Sequence, residues 1–417
     1  MPSNFFRQLS KNTPAWLIFT SLLLLPVGRT VELPTLIMSI AGMVLIWRHH
    51  ATIISQPAQR LFGLLFLCIW LPMLFSLTDA VNTYKTASTV LTFPRLYLAG
   101  VFVVWTLEDQ RQRDLLLRLA AILVAFWVLD ALIQAVRGID LFGFRYTASR
   151  LNGVYGESHL DLGVALPTLA PFLLVTLRQK PWLLAIGATL TGIVILLAGS
   201  RGGWVSYALI ILLLLASETQ RFRRNRQWGG LIVIFLIGLL AIFANVHPEA
   251  RQRIQGTLGL FSGDRQAVNN ALSGRLQIWE TSWHIFQAHP INGVGANGFR
   301  NIYPVYALSD DVFVNKETQT GPFYAHQLLV QVSSDTGLIG VTGLLIFYIL
   351  WLRSWRNLDQ TQKAAALPFT LAALAWLFPL NTHASFYSAQ WSQLIWLLLA
   401  LHCAALSSPK RNYKITP

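Results

Sequence analysis

His326 opens an apolar stretch, HQLLVQ, at the end of a long polar segment, with Asp335 and Gly337 following. An imidazole titrates near physiological pH and can take a proton from a hydroxyl group. Six arginines stand in the polar connections around it: Arg145, Arg150, Arg201, Arg265, Arg275 and Arg300. A guanidinium stays charged and holds phosphate oxygens in a fixed fork of N–H donors. These residue types suit an anionic, phosphate-bearing ligand handled beside a proton acceptor.

Two short stretches carry the arginines in suggestive company. Arg201 lies in SRGGW (200–204). A helix starting there points free N–H groups and its positive dipole end at an anion, and the glycines permit close approach. A tight turn between two helices would use the same residues. The stretch RYTASRLNGVYGESHLD (145–161) gathers Arg145, Arg150, Asn152, Glu157, His159 and Asp161 ahead of an apolar run. His159 with Asp161 suggests a metal, but a hydrogen-bonded start to a helix accounts for the stretch better. Asp310 and Asp311 form an acidic pair that suits a solvated turn. Cys68 and Cys403 sit in apolar runs as buried thiols, without a CxxC or Cys/His cluster. Nucleotide-binding glycine loops, Ser-His-Asp signatures and HExxH are missing. Neither a metal nor a cofactor is expected, and the chemistry rests on Arg and His.

The elements that must position these residues follow from composition. Of 417 residues, 54% are hydrophobic and 12% charged, where a soluble domain has about 25% charged. That deficit points to a membrane protein. Fifteen Trp suit the membrane–water interface. A membrane span needs roughly 20 apolar residues. Twelve candidates occur, at 14–27, 31–47, 61–77, 84–107, 115–136, 160–177, 182–199, 202–216, 228–246, 325–352, 364–380 and 385–406. Arg7 and Lys11 precede the first, and no small-residue cleavage signature follows it, so it reads as a retained helix. The expected fold is all-α, a polytopic transmembrane helical bundle of about twelve helices with a long, partly helical outer loop before the tenth span.

Charge sets the orientation. With the N-terminus inside, nineteen of the 32 basic residues fall in the cytoplasmic connections, and the alternation never slips. Both ends are then cytoplasmic. The formal net charge of +14 therefore reflects topology and calls for no nucleic-acid partner. The other thirteen basic residues face outward, eleven of them Arg. An anionic ligand on the outer face is the simplest reason, with pairing to nearby acids or lipid phosphates as the ordinary alternative for any single one. The chain divides into helices 1–9 (1–246), an outer loop (247–323), and helices 10–12 with a basic tail (324–417). Within the loop, Ser273 is expected to cap a helix whose apolar stripe is Leu276, Trp279, Trp283 and Phe286. That helix lies either on the membrane surface or against the bundle.

Five stretches in order, RLNG (150–153), SRGGW (200–204), SGRLQIW (273–279), HPINGVG (289–295) and HQLLVQVSSDTGLIG (326–340), resemble the O-antigen ligase/O-antigen polymerase superfamily of polytopic glycan transferases. The likeness covers about the last two-thirds of the chain. Gln327 departs from the Asn that many members carry after the histidine, though it keeps the amide. The resemblance implies an inverting, metal-independent glycosyl transfer from an undecaprenyl-diphosphate-linked glycan donor on the periplasmic face of a bacterial inner membrane. It makes His326 the catalytic base. Arg150, Arg201, Arg265 and Arg275, then Arg145 and Arg300, become the diphosphate- and glycan-binding residues. The short C-terminal tail speaks against a protein-glycosylating member. One short and one long outer loop favour a ligase, whose acceptor is lipid A-core oligosaccharide. A polymerase is the alternative, because Arg145 and Gly156 have the spacing of polymerase loops. A lipid-linked-glycan flippase or transporter is the alternative from another class. Membrane lipids are the remaining partners.

Overall fold

A computed structural model describes residues 2–146, 150–157, 161–217, 251, 255–309, 311–382 and 385–406. The expected ninth span (228–246), the basic segments 221–226 and 410–414, His159 and Asp310 lie outside the described residues. Among the described residues the chain is helical. Extended backbone pairs only at two isolated bridges, Ile139 with Arg145 and Asn315 with Thr320.

The apolar runs of the first half carry α1 (Pro2–Leu23), α2 (Glu32–Ser55), α3 (Pro57–Phe75), α4 (Thr83–Thr92), α5 (Pro94–Thr106), α6 (Gln110–Arg137), α7 (Leu162–Leu177), α8 (Pro181–Leu197) and α9 (Arg201–Ser217). Two boundaries differ from expectation. The run 14–27 does not stay helical to its end: α1 stops at Leu23 and a 3-10 stretch, Leu25–Val31, follows. The run 84–107 is two abutting helices, because Pro94 supplies no N–H and opens α5 instead of continuing α4. The second half holds α10 (Arg265–Ala271), α11 (Arg275–Ala288), α12 (Phe299–Tyr306), α13 (Leu328–Arg356), α14 (Gln360–Leu377) and α15 (Ala389–Leu406).

By length and composition, six described stretches can cross a membrane: Leu25–Ser55, Pro57–Phe75, Thr83–Thr106, Gln110–Arg137, Leu328–Arg356 and Ala389–Leu406. Three more helices, α7, α8 and α9, are apolar but shorter. One large core joins the long helices, with Trp127, Phe172, Phe369 and Trp396 fully buried in it. A second, small core of Ile278, Ile285, Val294, Phe299, Tyr303 and Ala325 holds α11 and α12 together over the start of α13.

Two glycines set the geometry at the end of the bundle that bears His326. A Cβ on Gly203 would lie 2.1 Å from the Gly163 carbonyl oxygen, so α9 and α7 cross with backbones touching. The close approach expected of SRGGW is thus made to another helix, not left open for a ligand. Gly203→Ala is therefore expected to destabilise by about 1–3 kcal/mol through overpacking. Thermal unfolding in detergent would read this. An unchanged melting temperature would refute the backbone contact.

Gly337 breaks α13 with φ 61° and ψ −157°. A break within an apolar helix leaves main-chain groups without partners, tolerable only where protein satisfies them. The segment 290–295 does this. Val294 and Gly295 donate to the carbonyls of Ser334 and Asp335 (both 3.0 Å), while Leu338 and Ile339 donate to those of Pro290 (2.8 Å) and Ile291 (3.2 Å). The HPINGVG stretch is thus a backbone splint for the helix that His326 precedes.

Candidate active site

Arg150 is fixed by its neighbours. The Leu151 N–H donates to the Leu197 carbonyl (3.1 Å). Asn152 and Gly153 donate to the Gln134 side-chain oxygen at 3.1 and 2.8 Å. Polar groups this close to apolar helices are costly unless hydrogen-bonded. Gln134 and Asp130 meet that condition by anchoring this connection to α6, Asp130 accepting from Leu141 N–H at 3.0 Å.

Arg201 is the first residue of α9, and the Ser200 hydroxyl accepts from Gly203 N–H (3.2 Å). Its guanidinium donates to the carbonyl of Ala271, with Asn270 O at 3.4 Å and Ser273 Oγ at 3.3 Å. The Ala271 carbonyl stands at the C-terminal end of α10, which a cation complements.

Arg275 opens α11. The residue in the capping position is Gly274 with φ 78°, and no side chain caps the helix. The expected Ser273 cap is therefore absent. Ser273 itself has φ 57°, which turns its hydroxyl toward Arg201. The face of α11 that packs inward is Ile278, Thr281, Ser282 and Ile285. Of the expected stripe, Trp283 is 56% exposed, and Trp279 donates its indole N–H to the Ala325 carbonyl (3.0 Å). The buried face thus includes the small polar Thr281 and Ser282, which the stripe did not name.

His326 sits just before α13 in the left-handed region, φ 53°. Gln327 caps that helix: its side-chain oxygen accepts from Val330 N–H (2.6 Å) and its amide donates to the Pro379 carbonyl (2.7 Å). The amide is what this position uses. The Tyr324 ring lies 4.0 Å from the imidazole, centroid to centroid. Nδ1 of His326 is buried without a hydrogen-bond partner.

The electrostatics tie these groups into one cluster. Burial depresses the Arg275 pKa, Tyr324 opposes that, and the like charges of Arg201 and Arg150 depress it further. Burial and then the charge of Arg275 lower His326 to about 4, so its ring is neutral at physiological pH. Burial pushes the Tyr324 phenol up to about 12, with Arg275 opposing and Asp161 adding. Arg275 thus links Arg150 and Arg201 to the neutral imidazole through its electrostatic field. A neutral imidazole can accept a proton, and guanidinium groups can hold a polyanion.

The other three arginines stand differently. Arg265 is on the surface, 75% exposed, with its guanidinium 2.6 Å from Glu280. Arg145 is exposed, and its N–H donates to Glu157 (3.0 Å). Arg300 stacks its guanidinium 4.0 Å over the Phe323 ring. Tyr324 was not singled out from the sequence; an aromatic two residues before the histidine was its one signal. Among the described residues, no three His, Cys, Asp or Glu side chains gather as a metal site would require.

Fold and site together define a polytopic helical protein of membrane-spanning composition, with a cationic cluster and a neutral histidine at one end. Residues 186–345, which include Arg201, Arg275 and His326, match the family model described as O-antigen ligase, a match that supports the O-antigen ligase/polymerase superfamily. No curated protein matches the chain.

Proposed function

We propose that this protein is an O-antigen ligase. It transfers O-antigen polysaccharide from undecaprenyl diphosphate to lipid A-core oligosaccharide, at the periplasmic face of a twelve-span bundle in a bacterial inner membrane. The observation that supports this reading is the placement of Arg275, within electrostatic reach both of Arg150 and Arg201 and of His326. A diphosphate leaving group needs the former, and an attacking hydroxyl the latter.

In the transfer, the acceptor hydroxyl oxygen forms a bond to the anomeric carbon as that carbon's bond to the diphosphate oxygen breaks. One displacement on the opposite face inverts the configuration. The hydroxyl proton passes to His326. The electron pair leaves with the diphosphate, whose growing charge the guanidinium groups of Arg150, Arg201 and Arg275 offset. Arg145 and Arg300 serve the glycan or the outer diphosphate oxygens, and Arg265, paired with Glu280, contributes least. The described residues that flank the Arg145–Arg150 stretch support a ligase over a polymerase. Asp140 accepts from Phe142 and Phe144, and Gln134 accepts from 152 and 153. Residues 140–144 and 152–153, on either side of that stretch, are thus pinned.

The test is reconstitution of the purified protein with lipid-linked O-antigen and lipid A-core. Glycan on lipid A-core with release of undecaprenyl diphosphate is the expected product. Longer lipid-linked glycan without modified lipid A-core would make it a polymerase. Translocation of the intact donor with no bond exchanged would make it a transporter.

A further inference from the structure

Along the bundle, from the connections after α7 and α13 toward the His326 end, runs a feature that glycan transfer does not use. A cavity of about 940 Å³ opens between α9, α13 and α14, with apolar walls that include Leu213, Trp351, Leu367, Leu371 and Leu374. Its upper end reaches Pro379, whose carbonyl holds Gln327 beside His326. Its lower end is lined by Arg178, Trp355 and Lys363. Lys180 stands near Arg178, and Arg353 and Arg356 in the last turn of α13; the Asp359 carboxylate between α13 and α14 is committed to capping α14.

The dimensions select among apolar occupants. From Lys363 to Leu374 a helix rises on the order of 17 Å. That is about one leaflet of a hydrocarbon core roughly 30 Å thick. Basic groups with an interfacial Trp at the mouth match a phosphate at headgroup depth.

We propose that this cavity binds one anionic phospholipid, its acyl chains lying between α9, α13 and α14 and its phosphate at Arg178 and Lys363. The proposal stands whether or not the protein transfers glycan. It is tested with full-length protein in detergent, incubated separately with phosphatidylglycerol, phosphatidylethanolamine and undecaprenyl phosphate, with retained lipid counted by native mass spectrometry. One phosphatidylglycerol per chain should be retained in preference to phosphatidylethanolamine. Arg178→Gln and Lys363→Gln should each weaken its retention roughly fivefold, and Leu371→Trp, which narrows the acyl-chain path, should weaken it as well. Arg178→Lys and Lys363→Arg, which keep the charge, should retain it. Equal retention of the two phospholipids, or of phosphatidylglycerol by wild type and charge-removing variants, overturns the proposal. So does undecaprenyl phosphate displacing phosphatidylglycerol from all variants alike, which would give the cavity to the carrier's tail.

Discussion

His326→Ala is expected to insert and melt like the wild type, bind the lipid-linked donor, and transfer glycan about 10²–10⁴-fold more slowly. At about 1.4 kcal/mol per decade, that is roughly 3–5 kcal/mol of barrier. The motive is position. His326 precedes α13, and its ring makes no hydrogen bond that would anchor the fold, with Nδ1 buried and without a partner. A histidine held for structure would instead lower melting temperature and donor binding together. The pH profile adds a second reading. Burial and Arg275 lower this imidazole to about 4. The basic form is therefore present at all pH values above that and is lost as pH falls through it. The acid limb of kcat/KM should lie near 4, well below the ordinary histidine value of about 6.5. Near-normal turnover by a well-folded His326→Ala protein would rule out the base role, and an acid limb at 6.5 would rule out the buried, Arg-flanked ring as its source.

How much of this was legible beforehand depends on what each residue signals alone. Arg150, Arg201, Arg275 and His326 declare themselves because charge is conspicuous among apolar runs. Helices likewise declare themselves by apolar length, and α2 to α9 fall where those runs lie. What stayed hidden are roles that exist only between distant segments. Gly337 looks like one more small residue in an apolar helix. Its break makes sense only once 290–295 is seen donating to and accepting from the freed backbone. Gly203 reads equally as a ligand-approach or helix-contact glycine until Gly163 appears opposite it. Ser273 has the side chain of a cap, yet Gly274 takes that position because the chain between α10 and α11 needs two left-handed residues in succession. Tyr324 carries no charge at neutral pH and so gave no sign beside its apolar neighbours. Arg265 shows the converse limit: its type signals an anion site, and the partner it meets is Glu280.

That contrast between arginines sets up the remaining prediction. Arg275→Ala should cut transfer about 10²–10³-fold, the usual cost of removing one group that stabilises charge developing in a transition state. Arg275 is half-buried, flanked by the charges of Arg201 and Arg150, and near His326, so its field acts where the leaving diphosphate and the acceptor meet. Lys at this position should restore only part of the loss, because an ammonium lacks the bidentate fork. Arg265→Ala should cost much less, since its exposed pair with Glu280 leaves it hydrated and screened. A further consequence separates an electrostatic role from a merely structural one. Removing the Arg275 charge takes away one of the two influences that depress His326, so the acid limb of the Arg275→Ala enzyme should move upward from about 4 toward the ordinary value. Steady-state rates across pH for wild type, Arg275→Ala, Arg275→Lys and Arg265→Ala, with melting temperatures alongside, measure all of this. Full activity in a stable Arg275→Ala protein would remove this residue from the site. A large loss with an unmoved acid limb would place it on the diphosphate but too far from His326 to set its proton affinity.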